Sequence, residues 1–218
     1  MTLAEGPFAR ACLRLFRNPR IADIFPEYLI QTHCIIRTTV PLMEAASGEA
    51  RRRAAVDPVA AGVASYLARH AEEERDHDEW LLDDLAVLGV DRSEVLARVP
   101  SPTVASLVGS QYYWALHYHP VSLLGYFAFM EGYPPAPSLI AELLSRTGFP
   151  PEAFRTMAKH GELDGNHRSE LDEAIDRLPL SHEQEVLLGL SVLSGLPLLA
   201  ASIEEVLETD RARADLTV

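Results

Sequence analysis

Cysteine is nearly missing from this chain, with Cys12 and Cys34 alone. Two thiols cannot build a disulfide framework or a cysteine-ligated metal site, so both read as small buried apolar residues. Lysine is scarcer still: Lys159 stands alone among 19 basic residues, against 32 acidic ones. The net charge of −13 lacks the basic footprint of a nucleic-acid-binding protein. No apolar run is expected to approach the ~20 residues of a membrane span. Met1 to Phe16 mixes Glu5, Arg10 and Arg14 among its apolar residues, unlike a signal peptide. The expectation is a cytoplasmic protein with neither nucleic acid nor membrane as a partner. Strand-like alternation, internal repeats and low-complexity segments are missing too.

What is present is helical periodicity cut by turn signals. Hydrophobic residues make up 48% of 218 positions, enough for one sizeable core. One helical domain over residues 1–218 is the simplest account, with a frayed tail at 210–218. A first helix is expected from Ala4 to Phe16, ended by Asn18-Pro19. A second runs from about Ile21 to Ala46, bent or broken near Pro26 and Pro41. A third is capped by Asp57, has Pro58 in its first turn, and continues to Leu88 before Gly89. Asp91 and Glu94 open a short helix to Val99. Another starts after Pro102 and is broken at His119-Pro120, before a segment ending near Glu131. Pro134, Pro135 and Pro137 make a loop, and a helix follows to Arg146. A helical region from Glu152 to Leu178 is expected to break near Met157. Ser181 with Gln184 opens the last helix, which runs to about Thr209.

Three segments carry the chemistry. In YLARHAEEERDHDEWLL, Glu74 and His77 stand three apart, which on a helix places them on one face about one turn apart. His70 lies on the same face, four residues earlier. A carboxylate and an imidazole so placed can share a metal ion; the alternative is a solvated charged face. In KHGELDGNHRSEL, His160, Asp164 and His167 fall at i, i+4 and i+7, within a narrow sector flanked by Leu163 and Leu171. Two histidines and an aspartate facing a core are costly without a partner, about 1–3 kcal/mol per unsatisfied group. A metal removes that cost; bonding to neighbouring polar groups is the alternative. In VSLLGYFAFMEG, Glu131 ends a stretch with no other charge, as a buried ligand or a solvated helix end. Imidazole and carboxylate without thiolate suit iron or manganese better than structural zinc. Two divalent ions would carry +4 against −3, leaving room for a bridging hydroxide or an oxygen species. Glu162, Glu170 and Asp172 read as solvated charges.

The set resembles the haem-oxygenase-like diiron oxidases and oxygenases. That family combines Glu-x-x-His on one helix, a Glu ending an apolar helix, and His-x3-Asp-x2-His on a later helix. Here those positions are Glu74 with His77, then Glu131, then His160, Asp164 and His167, in the same order. The resemblance implies an all-α, haem-oxygenase-like seven-helix bundle of the TENA/PqqC type. It implies two Fe(II) per chain at those six residues, O2 as co-substrate, and a homodimer. Relatives oxidise, cleave, desaturate or oxygenate small carboxylates, amines or amino acids, so a biosynthetic oxidoreductase is the expectation.

Gly161 and Gly165 sit within the ligand helix, each about 0.8–1.0 kcal/mol less favourable than alanine. They suggest a helix whose ordering is coupled to iron uptake. Among the aromatics before Glu131, most read as core and Tyr126 as a candidate pocket residue. Arg37 interrupts the apolar run CIIRTTVPLM and is a candidate anchor for a substrate carboxylate, with an internal ion pair or a surface position as alternatives. His33, His117, His119 and His182 read as structural. A ferritin-like iron-binding protein is the alternative class, disfavoured because Glu-x-x-His occurs once where such bundles repeat it. Haem ligation would leave five aligned ligands unexplained. A TENA-like thiaminase would need an activated cysteine, and Cys34 has only His33 beside it.

Overall fold

The computed structural model describes residues 6–215, with side chains to residue 209. Among the described residues every regular element is helical. In chain order these are α1 (Pro7–Phe16), α2 (Ile21–Ile36), α3 (Thr39–Arg53), α4 (Pro58–Glu73), α5 (His77–Val87) and α6 (Arg92–Ala97). Then come α7 (Pro102–His117), α8 (Ser122–Met130), α9 (Pro137–Thr147), a 3-10 turn (Pro151–Phe154), α10 (Arg155–Arg177) and α11 (His182–Asp215). Short joints divide α2 from α3, α4 from α5 and α7 from α8. The eleven α-helices among the described residues outnumber the expected seven: these three joints account for three of the extra elements and the six-residue α6 for the fourth.

The local signals act where the sequence places them. Asp57 accepts from Ala60 N at 3.0 Å to start α4, and Ser101 accepts from Val104 N to start α7. Ser181 and Gln184 form a reciprocal capping box at α11. Several boundaries differ from expectation. Pro26 lies inside α2, whose buried Ile24, Phe25 and Leu29 hold the helix together despite the missing donor. The break comes at Arg37–Thr38, which puts Pro41 in the first turn of α3, where its missing N–H would have no helical partner. The rod expected to be continuous to Leu88 stops after Glu73 and restarts at His77. Asp76 occupies the left-handed region there (φ 67°), one of the few non-glycine residue types that tolerate it. The kink expected near Met157 lies instead at Phe154, and α10 is continuous past it. The tail expected to fray from 210 is helical to Asp215; residues 216–218 lie outside the described residues, as do Ala4 and Glu5 of the expected first helix.

Two apolar clusters fill the interior, one from α3, α4, α7 and α8, the other from α1, α2, α5 and the distal half of α11. Helix α11 runs along both and packs on α8, α1, α7 and α2. A helix with neighbours on several faces must be apolar on several faces. This corrects the expectation about apolar runs: α11 carries an 18-residue stretch long and apolar enough to cross a bilayer, one third of it buried. Close approach to α8 depends on glycine. A Cβ on Gly125 would lie 2.5 Å from the Leu188 carbonyl oxygen, and one on Gly195 would enter the Phe129 ring. Helix α10 completes the bundle by touching α4, α5, α8 and α9, so its inner face meets the segments carrying Glu74, His77 and Glu131.

Candidate metal centre

Each candidate side chain is set by its element. The joint between α4 and α5 carries Glu74 as the cap of one helix and His77 as the first residue of the next. The two remain close, with His77 Nδ1 3.0 Å from Glu74 Oε2. They do so across a joint, not along the single helix face the spacing suggested. Asp84, buried on α5, accepts from Thr156 N at 2.8 Å and caps the first turn of α10. One turn later, His160 Nδ1 donates to the Thr156 carbonyl at 2.9 Å. A carbonyl only accepts, so this bond fixes the tautomer and leaves Nε2 with a free lone pair. His77 stacks on Trp80 (ring centroids 3.9 Å apart), and Lys159 Nζ lies 3.5 Å from the centre of the other ring.

The side chains gather in two clusters. Glu74, His77 and His160 place their ligand atoms within 4.8 Å of one another, and so do His70, Glu73 and His167. Glu131 joins the second cluster through His70, with Nε2 2.7 Å from Oε1. Asp164 is buried and lines the same cavity as Glu74, Glu131 and His160. All six candidate ligands are thus brought to one region. His70 and Glu73 were not assigned as ligands from the sequence. The available signal for His70 was its place one turn before Glu74 on the same face.

Charge is finely balanced here. Burial pulls the His70 imidazole down, but the Glu131 hydrogen bond and the charges of Glu131 and Glu74 outweigh it and push it up to about 8. Burial would raise Glu74, yet the close approach of His77 and the nearby imidazoles His160 and His70 hold it below the usual carboxylate range. Burial, then the charges of Glu131 and Glu74, push Asp164 up to about 7. Burial lowers His160.

The donors fit a metal. His77 Nδ1, Glu131 Oε2, Asp164 Oδ1 and His167 Nδ1 are all buried without a hydrogen-bond partner. Four such atoms in one region are costly, at about 1–3 kcal/mol each, unless something ligates them. Nitrogen and carboxylate oxygen donors suit iron or manganese.

The cluster opens on a cavity of about 210 Å³. Tyr126 lines it, and its buried hydroxyl has no hydrogen-bond partner. Arg37 does not line it and is corrected as a substrate anchor: at the end of α2 its guanidinium turns to the carbonyls of Leu96 and Arg98, 3.5 and 3.4 Å away. Cys12 lines the cavity and burial pushes its thiol up to about 12; Cys34 lies in the core. His119 is structural, bonded to Asp57 at 2.9 Å and accepting from Val121 N. Glu162, Glu170 and Asp172 are exposed.

Bundle and donor set together define an all-helical protein with a candidate carboxylate–histidine metal centre. Residues 28–192 match the family described as "Iron-containing redox enzyme", and the chain belongs to that family. No curated protein matches it. Among solved structures, it is similar to a domain of unknown function with a haem-oxygenase-like fold from Shewanella denitrificans (TM-score 0.78, 20% identity, 96% of this chain and 87% of that one). It is also similar to a TenA homolog from Pseudomonas syringae (TM-score 0.69, 14% identity, 93% and 90%). The fold is haem-oxygenase-like.

Proposed function

We propose that this chain is a dioxygen-dependent oxidase or oxygenase that holds two ferrous ions and acts on a small molecule in a biosynthetic pathway. The observation that carries the proposal is the convergence of Glu74, His77, Glu131, His160, Asp164 and His167, the first, third, fourth and fifth of which line a mainly apolar cavity, with four donor atoms lacking a hydrogen bond. Ferrous iron, when bound, supplies the electrons that reduce dioxygen and the oxidising power turned on the substrate.

The chain's own residues supply the rest. Glu74 and His77 with His160 would hold one ion, and His167, Glu131 and Asp164 the other. Apolar walls such as Leu29, Phe127 and Ile203 exclude water from the reacting end. Away from the candidate ligands the polar wall residues include Gln31, Thr32, Thr39, Ser202, Tyr28 and Thr156, uncharged groups that suit an amine, hydroxyl or amide. A cavity of about 210 Å³ admits a molecule somewhat larger than benzene, which fits one of about 150 Å³. Tyr126, in the cavity wall, would contact it. Cysteine chemistry of the thiaminase kind is disfavoured, because burial keeps the Cys12 thiol protonated.

The test is anaerobic loading with ferrous iron, followed by rapid mixing with oxygen while visible absorbance is recorded. Two irons per chain and an oxygen-dependent absorbance change are expected. No bound iron, or one tightly held metal that ignores oxygen, overturns the proposal.

A further inference from the structure

The two ligand-bearing segments share one spacing. His70-x3-Glu74-x2-His77 and His160-x3-Asp164-x2-His167 each place two imidazoles seven residues apart with a carboxylate between them. In the fold the two motifs meet head to tail. The last histidine of the first faces the first of the second: His77 and His160 lie edge to face, centroids 5.0 Å apart at 83°. The first histidine of the first faces the last of the second: His70 and His167 lie 4.9 Å apart at 89°. Each imidazole pair has a carboxylate beside it, Glu74 with the first and Glu131, 2.7 Å from His70 Nε2, with the second. The four imidazoles are thus paired crosswise between the two motifs.

We propose that His70 is a ligand of the second metal position, opposite His167, as His77 is opposite His160 at the first. The inference rests on the two-ion proposal above and adds a seventh ligand to the six. His70 is 1% exposed, and its Nε2 lies 2.7 Å from Glu131 Oε1. Neighbouring donors about 2.1 Å from one metal at right angles are roughly 3 Å apart, so this pair is spaced as adjacent ligands with little movement needed. His70 Nδ1 faces Glu73 at 3.2 Å, which orients the ring from behind, as partners of metal-bound histidines do. The competing role is positioning alone, with His70 donating to Glu131 and never touching the ion.

Titration of the metal-free protein with Co(II), followed by visible absorbance and equilibrium dialysis, separates the two. His70→Gln keeps a donor for Glu131 but removes the imidazole. Wild type is expected to bind two ions, His70→Gln one, His167→Gln one, and the double variant still one, because both remove the same position. Joining His70→Gln to His77→Gln is expected to abolish binding. Two ions on His70→Gln, with affinity within about tenfold of wild type, assign His70 to positioning and overturn the proposal. Should that variant not fold by circular dichroism, His70→Glu carries the test. Two ions with displaced visible bands support direct ligation there, and two ions with wild-type bands overturn it. Fewer than two ions on wild type removes the two-ion proposal itself, a result distinct from failure at His70.

Discussion

His167 Nδ1 lies 3.6 Å from Glu74 Oε1, although Glu74 groups with His77 and His160 and not with the His167 cluster. The other oxygen of Glu74 faces His77. One carboxylate therefore offers an oxygen to each cluster, and its loss should be felt at both. Glu74→Gln is expected to weaken binding of both ferrous ions by roughly a hundredfold or more, whereas His77→Ala weakens one. Anaerobic equilibrium dialysis checks this, and a Glu74→Gln variant that keeps one tight ion contradicts a role for Glu74 at both clusters.

The Asp164 carboxyl in the metal-free chain holds its proton up to about pH 7, whereas an unfolded aspartate ionises near about 3.9. Its contribution to stability is therefore complete below about pH 4 and lost as pH rises through 7. The metal-free protein should melt lower at pH 8 than at pH 5. Asp164→Asn should flatten that slope and be more stable at pH 8, by at most about 4 kcal/mol at 1.36 kcal/mol per pKa unit. His70, raised to about 8, has the same sign and leaves a residual slope between about pH 6.5 and 8. The same Asp164→Asn change should weaken iron binding, so melting with and without Fe(II) moves in opposite directions.

Gly161 and Gly165 differ in purpose. A Cβ at Gly161 would lie 2.6 Å from the Pro135 carbonyl oxygen, so the helix passes the loop after Glu131 only because no side chain is there. A Cβ at Gly165 meets nothing within 4 Å. Gly165→Ala is expected to raise stability by about 0.8–1.0 kcal/mol. Gly161→Ala is expected to lower it by about 1–3 kcal/mol and to weaken metal binding by pushing α10 off the loop. Urea denaturation of both variants tests the pair; equal effects would contradict it.

Arg37 and Tyr126 should part company in steady-state kinetics. Arg37→Ala removes two exposed-side contacts to carbonyls and is expected to leave KM unchanged. Tyr126→Phe removes a buried hydroxyl without a partner, which should stabilise the free protein by about 1 kcal/mol and raise KM. An Arg37→Ala variant with a KM raised tenfold would restore the anchor role.

The helical class was legible because it depends on local spacing, and so was the shared face of the α10 candidates; Glu74 and His77 meet across a joint, and Glu131 carries no spacing signal. Asp57, Ser101 and Ser181 cap helices through bonds three residues away, and His160, Asp164 and His167 share a face by period alone. The joint at Asp76 was not legible, since a left-handed aspartate carries no spacing signal. Nor was the direction of Arg37, which depends on the distant segment from Leu96 to Arg98. His70 lay in view on the right face, but its partners Glu131 and His167 are set by how α8 and α10 pack on α4. The apolar stretch of α11 was underestimated because its serines, glycines and proline interrupt the run without charging it.

The left-handed turn at Asp76 also separates two jobs that one straight helix would fuse. Glu74 is anchored to the end of α4 and His77 to the start of α5, so the distance between them is governed by the three residues of the joint. Each helix can keep its packing while the joint alone is rewritten. Substituting glycine at Asp76 would keep the left-handed angle accessible, whereas a β-branched residue would resist it. Variation in how such a centre grips its ions can then be confined to a single hinge, leaving the surrounding bundle untouched.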